Sequence, residues 1–388
     1  MTVSLVLNVG SSGLKFSLFD IAPAEPKRLY TGAFDRGRNP RQIVAQSASG
    51  VEERLDLDEP GNMTSALQAV LSWCEKSHAF ETVTSVGHRI VHGGLDYIDP
   101  VILDDQAVAD LRRLEPLAPL HQPFNLQGVK LARAMFEGAP QVACFDTAFH
   151  RSHPFENDTF ALPHQLYEEG IRRYGFHGLS YTYVSSRLFE LRPDLKDGRV
   201  IIAHLGNGAS MCALLQGQSV GSTMGFSALD GLPMGTRCGQ IDPGVLLYLL
   251  QEKGMSVPQL TELLYKQSGL KGLSGLSNDM RQLLDSPEVN ARRAIDYFVF
   301  RIRREVGGMV AVLGGLDALV FTGGIGENAP EIRARVCEPL KWLGLDLDER
   351  QNGNNMPIIS ASKSKVELRV VPTDEESVIA SAAKRLLR

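Results

Sequence analysis

The chain has 388 residues, 43% of them hydrophobic and 22% charged, with a formal net charge of −5. That length exceeds the roughly 250–300 residues at which a single hydrophobic core stops growing, so two domains are expected. An acidic balance without a Lys/Arg tract excludes broad nucleic-acid binding, and no apolar run nears the roughly 20 residues of a membrane span.

In chain order, the apolar runs Val3 to Leu7 and Phe16 to Phe19 flank Asn8-Val9-Gly10-Ser11-Ser12-Gly13-Leu14-Lys15. This reads as a hairpin whose polar turn aims backbone N–H groups and hydroxyls at one spot, a nest for an anion. Lys15 adds a point charge suited to phosphate. A polar excursion containing Pro and Arg is expected through Pro60, then a helix from about Thr64 with Ala66, Ala69, Val70 and Trp73 on one face. A short strand near Val83 to Gly87 runs into His88-Arg89-Ile90-Val91-His92-Gly93-Gly94. Helical patterns follow near residues 105–114 and 124–136, and a buried strand near 141–145 ends on Asp146. Strands alternating with helices predict a largely parallel sheet.

Residues 147–180, rich in His, Pro, Phe and Gly, read as an irregular connection and site wall. The segment from Arg199 to Leu215 then repeats the opening pattern around Gly206-Asn207-Gly208, with Gly10 matching Gly206 and Ser12 matching Gly208. Helices are expected near 243–252, 257–267 and 287–313. A third loop, Thr322-Gly323-Gly324-Ile325-Gly326-Glu327-Asn328, follows an apolar run and precedes a helix near 330–343. A strand near 366–371 leads through Pro372-Thr373-Asp374-Glu375-Glu376 to a terminal helix expected to return to the first domain. Three phosphate-type loops, two of them in a repeated unit, predict a duplicated α/β fold closing on a nucleotide.

Ligands of open α/β sheets bind outside the carboxyl ends of strands, where Arg89, Asp146 and Asn207 lie. Arg237 sits among glycines and small residues, within reach of a ligand. Phosphoryl transfer spreads charge over three equatorial oxygens, which positioned arginines and Mg²⁺ stabilise. The nine histidines show no H-E-x-x-H spacing, so a zinc site is not expected. Five scattered cysteines without C-x-x-C read as reduced thiols, and Met1 leads into a strand without a leader pattern, so a soluble cytoplasmic chain is expected.

Beyond these readings, the chain resembles the acetate and propionate kinase family of the actin/Hsp70/sugar kinase fold over essentially its whole length. The segments that carry the likeness are NVGSSGLK at Asn8, GHRIVHGG at Gly87, LAPLHQP at Leu117, CFDTAFH at Cys144, RRYGFHGLS at Arg172, HLGNGAS at His204, MGTRCGQIDPG at Met234, FTGGIGENAP at Phe321 and PTDEE at Pro372. The resemblance implies a duplicated RNase H-like (actin-like ATPase) fold with a nucleotide cleft between two domains. One would span 1–147 plus 376–388; the other, 148–375, would bind nucleotide and dimerise. It further implies reversible transfer of the ATP γ-phosphoryl group to acetate, giving acetyl phosphate and ADP, by a homodimer.

In that reading Asn8 and Glu375 hold Mg²⁺, for which Mn²⁺ can substitute, and Glu376 stays open as the alternative to Glu375. Lys15, Ser11, Ser12, His204, Leu205, Gly206, Asn207, Gly208, Asp279, Met280, Arg281, Gly324, Ile325, Gly326, Glu327 and Asn328 bind ATP. Arg89 binds the carboxylate, and Val91, Leu120 and Phe176 line the acyl pocket with His121 beside them. His177 and Arg237 stabilise the transition state, supported by Asp146 and Asn207. A carboxylate is already ionised at neutral pH and needs no general base, so Asp146 orients metal-bound water or an arginine. Gly13 replaces the family's usual third serine, and Ala228 stands where the family often has proline, leaving slack in the pocket. Two rivals remain: a kinase for propionate or a longer acid, and a nucleotide-switched binding protein of the same fold.

Overall fold

A computed structural model of the chain describes residues 2–10, 13–35, 39–76 and 83–388. The backbone forms two compact units, Met1–Phe149 with Asp374–Arg388, and His150–Thr373. The expected domains ended at 147 and resumed at 376; these units end at Phe149 and resume at Asp374, which puts Glu375 in the first.

The first unit is built on eight strands: β1 (Val3–Val9), β2 (Gly13–Asp20), β3 (Lys27–Asp35), β4 (Gln42–Ser47), β5 (Glu52–Asp56), β6 (Val83–Ile90), β7 (Val101–Ile102) and β8 (Gln141–Phe145). Their order is β5-β4-β3-β2-β1-β6-β8-β7. β1 is buried at nearly every position, as a central strand covered on both faces must be, whereas β5 has no buried residue and forms the edge. The expected polar excursion is thus an antiparallel meander of three strands. Pro23 and Pro26 lie in the turn before β3 and mask its alternation. The expectation of a largely parallel sheet fails for the same reason: among the described pairings in this unit only β1–β6 and β6–β8 are parallel. Helices Met63–Lys76 and Gln122–Met135 pack on this sheet, as does the terminal helix Glu375–Leu386 against β1, β6 and β8. At Gly87 a Cβ would lie 2.4 Å from Ile379 Cγ2, so glycine lets the terminal helix sit close to β6.

The second unit holds β9 (Arg199–Leu205), β10 (Ala209–Leu215), β11 (Gln218–Ser222), β12 (Ala318–Thr322) and β13 (Glu367–Val370), ordered β11-β10-β9-β12-β13. Here β9 to β11 are antiparallel, and β12 runs parallel to β9 and β13. The same order and directions relate β3-β2-β1-β6-β8, so the repeat seen in the loops extends to the sheets. The hairpin turns correspond through one hydrogen bond each, Gly10 N to Gly13 O (2.9 Å) and Gly206 N to Gly208 O (3.1 Å). Gly208 therefore corresponds to Gly13 rather than Ser12, and the first turn is one residue longer.

Residues 147–180 are ordered without apolar periodicity. Buried Asp158 accepts hydrogen bonds from Arg151, Arg172 and Tyr167, and its carbonyl accepts from Arg173 N. The third loop is itself a helical turn, Gly323–Asn328, directly after β12. The helix expected near 330–343 is α-helical over Pro330–Cys337 and continues as a 3₁₀ segment, Glu338–Leu343. Pro339 has no N–H to offer the preceding turn, which accounts for the tightening. No helix among the described residues is long and apolar enough to cross a membrane.

Candidate active site

In the first unit, Arg89 lies near the carboxyl end of β6 and Asp146 follows β8. The parallel register sets Arg89 opposite Cys144, and Asp146 N donates to Ile90 O at 3.1 Å. Arg89 grips Asp146 with two prongs, Nε to both carboxylate oxygens at 3.1 Å and Nη2 to Oδ2 at 2.5 Å. Its Nη1 donates to Asn8 Oδ1 at 3.2 Å and stands 3.8 Å from Glu375 Oε2. Burial opposes the Arg89 charge, but the Asp146 and Glu375 carboxylates outweigh it and hold the guanidinium above its ordinary pKa. Burial raises the Asp146 carboxyl above the usual range, against the pull of Arg89.

Glu375 is fixed from behind. Arg28 pairs with Asp374, and Asp374 caps the terminal helix by accepting from Ser377 N at 3.1 Å. Asn8 Oδ1 and Glu375 Oε2 thus converge on one positively charged nitrogen. Two hard oxygen donors already gathered about a cation are the kind of set Mg²⁺ takes while keeping several waters. Glu375, and not Glu376, comes within ion-pair distance of Arg89 among the described residues. Lys15, exposed on β2, is the cross-strand partner of Asn8. Val91 is buried, with its N–H held by Asn125 Oδ1 at 2.9 Å. Leu120 and His121 are half-buried where helix Gln122–Met135 begins. Ser11 and Ser12 lie outside the described residues.

In the second unit, His177 caps helix Gly178–Leu191 at φ 61°, a left-handed conformation that costs a non-glycine residue strain. Its ring stacks on His204 at 4.3 Å between centroids. His177 Nδ1 lies 2.8 Å from Ser210 Oγ, and His204 Nδ1 lies 2.8 Å from Ser180 Oγ. A Cβ at Gly208 would sit 3.3 Å from His177 Nε2, so the ring lies over the Gly206–Gly208 turn. Phe176 is buried, and its carbonyl accepts from His150 Nε2 at 3.0 Å. Burial, reinforced by His153, lowers the His150 pKa to about 3, so that ring stays neutral.

Asn207 joins three segments. Its carbonyl accepts from Gly235 N at 2.9 Å and its Oδ1 accepts from Asn278 Nδ2 at 2.9 Å. A Cβ at Gly235 would fall 2.0 Å from Asn207 Oδ1, so a larger residue there would displace the Asn207 side chain. Two residues on, Arg237 is tethered by Nη1 to Ala228 O at 2.9 Å. Asp279 accepts from Arg281 N at 2.9 Å and from its Nη2 at 2.6 Å, and Met280 is buried behind them.

The third turn abuts the hairpin turn: a Cβ at Gly206 would be 3.9 Å from Gly324 N, and Leu205 O lies under Gly323. Glu327 Oε1 accepts from Gly323 N at 2.9 Å and from Thr373 N at 3.2 Å. Asn328 donates to Gly324 O at 3.0 Å, and half-buried Ile325 completes the turn. Fully buried Arg333 donates to Gly326 O at 2.8 Å and to Glu327 O at 3.0 Å.

The first-unit candidates Asn8, Arg89, Asp146 and Glu375 are thereby gathered into one cluster. His177, His204, Asn207, Gly208, Arg237 and the third turn occupy neighbouring segments of the second unit. The sequence reading missed Ser210, Tyr181, Asn278 and Arg333. Ser210 carried a signal, since it closes the HLGNGAS segment; Arg333 carried none, because in sequence it is one more charge on an amphipathic helix.

The family model described as the Acetokinase family matches residues 3–381. An acetate kinase of Methylocella silvestris is 51% identical over 394 residues, covering 99% of this chain and 97% of its own length. Among solved structures, Porphyromonas gingivalis acetate kinase matches with TM-score 0.89 and 37% identity over 100% of both chains. A propionate kinase from Francisella tularensis subsp. tularensis SCHU S4 matches with TM-score 0.91 and 35% identity over 98% of this chain and 99% of its own.

Proposed function

The chain belongs to the Acetokinase family, phosphotransferases with a carboxyl acceptor on the duplicated actin-like ATPase fold, and we propose that it moves the γ-phosphoryl group of ATP reversibly to acetate. The observation that carries the site assignment is Arg89, held rigidly by buried Asp146 with its Nη1 end directed at Asn8 and Glu375.

A carboxylate nucleophile with a pKa of about 4–5 is ionised at neutral pH, so the barrier is the approach of one anion to another rather than a proton transfer. Arg89 meets the carboxylate, and Asp146 fixes the guanidinium plane rather than accepting a proton. Mg²⁺ held by Asn8 and Glu375 would neutralise charge on the β- and γ-phosphates. Lys15 and the turns at Gly206–Gly208 and Gly323–Asn328 bind the nucleotide, with Asp279 and Arg281 beside them. Arg237 and His177 offer donors to the migrating phosphoryl group, where charge develops in the transition state.

Incubation with acetate, ATP, Mg²⁺ and hydroxylamine tests the activity. Acetyl hydroxamate is the expected product; ATP hydrolysis without hydroxamate would instead indicate the nucleotide-switched alternative. Within this scheme, Glu375→Gln raises the Mg²⁺ concentration for half-maximal rate more than it alters the KM for acetate, because an amide is a poorer ligand for a hard cation. A metal defect in Glu376→Gln with none in Glu375→Gln would reverse the assignment.

For the acyl pocket we assign Val91, Leu120 and Phe176. Acetate is the best substrate, propionate is accepted and butyrate is poor, since one methylene in an apolar pocket shifts discrimination by about 1–3 kcal/mol. Val91→Ala shifts kcat/KM toward propionate, and an unmoved ratio would contradict the pocket.

Two copies of the chain associate in this reading. Helix Pro243–Gln251 has no buried residue, yet Val245, Leu247 and Tyr248 are 41%, 55% and 51% exposed on it. Sedimentation of the wild type as a dimer, and of Leu247→Glu as a monomer, is the expected result; a monomeric wild type would contradict it. Five free thiols, four of them buried, fit a reducing cytoplasmic setting.

A further inference from the structure

We propose that Tyr181 and Ser210 form a buried hydroxyl chain that fixes His177 in the neutral tautomer protonated at Nε2, which makes Ser210 a positioning residue for phosphoryl transfer. The proposal rests on the transition-state role assigned to His177 above.

Ser210 is fully buried on β10, with its Oγ 2.8 Å from His177 Nδ1 and 2.5 Å from Tyr181 Oη. Tyr181 lies one helical turn beyond His177, and its N–H donates to His177 O at 3.0 Å, so both side chains reach β10 from one helix end. A phenol is a stronger acid than an aliphatic alcohol, so in the short contact the Tyr181 O–H donates and Ser210 Oγ accepts. Burial keeps that phenol protonated, raising it well above its ordinary range. Among the described residues buried Ser210 Oγ contacts only Tyr181 Oη and His177 Nδ1, so with the first an incoming donation its one proton is satisfied by pointing at His177 Nδ1. A neutral imidazole whose Nδ1 accepts carries its single proton on Nε2.

The direction matters because of where Nε2 lies. It stands over the Gly206–Gly208 turn, so close to Gly208 that a Cβ there would be 3.3 Å away. A polyphosphate bound by that turn would face Nε2. In the assigned tautomer the ring presents an N–H to that anion; in the opposite one it would present a lone pair and repel it. The hydroxyl chain therefore decides whether His177 attracts or repels the group being transferred. In sequence His177 lies in RRYGFHGLS with Tyr181 just after it and Ser210 in HLGNGAS, on different elements that meet only when the helix docks on β10.

The experiment uses the full-length enzyme labelled with ¹⁵N-histidine and long-range ¹H–¹⁵N correlation spectra at neutral pH, with His177 assigned from the signals lost in His177→Asn. In the wild type, the His177 Nδ1 resonance falls in the unprotonated range and Nε2 in the protonated range. Ser210→Ala moves the two toward a mixture and lowers kcat by about 10- to 100-fold, with KM for ATP and acetate within about twofold. Tyr181→Phe removes the incoming donation and moves the two resonances part of the way toward the mixture, with a smaller loss of kcat than Ser210→Ala, and Ser210→Thr, which retains the hydroxyl, recovers most of the loss. A wild-type His177 protonated at Nδ1, or a Ser210→Ala enzyme with unchanged tautomer and kcat, overturns the proposal even if acyl phosphate is made. Full turnover in His177→Asn would instead remove the catalytic role of His177, which the tautomer spectrum alone would not.

Discussion

Arg237→Lys lowers kcat by about 10²-fold or more, a loss of about 3 kcal/mol of transition-state stabilisation, while the affinity for ATP changes little. The Arg237 guanidinium is planar, and one of its nitrogens is already committed to Ala228 O at 2.9 Å. In the proposed scheme that tether holds the fork in place while the guanidinium meets the migrating phosphoryl group. A lysine ammonium is a point charge on a flexible stem: it can satisfy the Ala228 carbonyl or a phosphoryl oxygen, but it cannot hold the orientation that serves both. In the same scheme ground-state nucleotide binding draws on other groups, the turns at Gly206–Gly208 and Gly323–Asn328, so the defect belongs in kcat. The tether does not depend on the side chain at Ala228, because the contact is to its backbone carbonyl. Parallel measurement of kcat and of the Kd for ATP separates the two effects, and near-normal turnover in the variant would remove Arg237 from the reaction.

The second large effect is expected at Asp146. Asp146→Ala destabilises the protein by about 3–5 kcal/mol, the usual result of removing one partner from a buried ion pair, and raises the KM for acetate. The Asp146 side chain is only 2% exposed and takes the Nε and Nη2 prongs of Arg89. Without it the guanidinium loses its orientation and turns to the nearest remaining anion, Glu375, now 3.8 Å away. That shift withdraws Arg89 from the acceptor and engages a residue assigned to the metal, so the Mg²⁺ requirement rises as well. Denaturant titration and acetate kinetics on the same preparation check both parts. Unchanged stability with an unchanged KM would show that the Arg89–Asp146 pair neither holds the unit together nor orients the acceptor.

The contrast between these two residues shows what could be read before the fold was known. Gly10, Gly206 and Gly323 announced their turns because a tight polar turn between apolar runs is a local signal, and the register of the sheets reproduces the repeat. Arg89 and Asp146 could be placed at strand ends, but their pairing spans 57 residues and depends on the parallel register of β6 and β8. The strands β3 to β5 were hidden because an edge meander exposes one face to water, so its apolar alternation is faint, and the prolines before β3 resemble a loop. Ser210 and Tyr181 were invisible as a pair for a different reason. A buried hydroxyl chain has no periodicity, and its meaning comes from the proton direction, which only the three-dimensional contacts define.

The central claim is that a carboxylate oxygen attacks the γ-phosphorus of ATP. Incubation with acetate labelled with ¹⁸O in both oxygens, followed by ³¹P NMR of the acyl phosphate, tests it most directly. The account predicts acetyl phosphate whose phosphorus signal carries the isotope shift of one bridging ¹⁸O, formed together with ADP. Consumption of ATP that yields only unlabelled inorganic phosphate would contradict it.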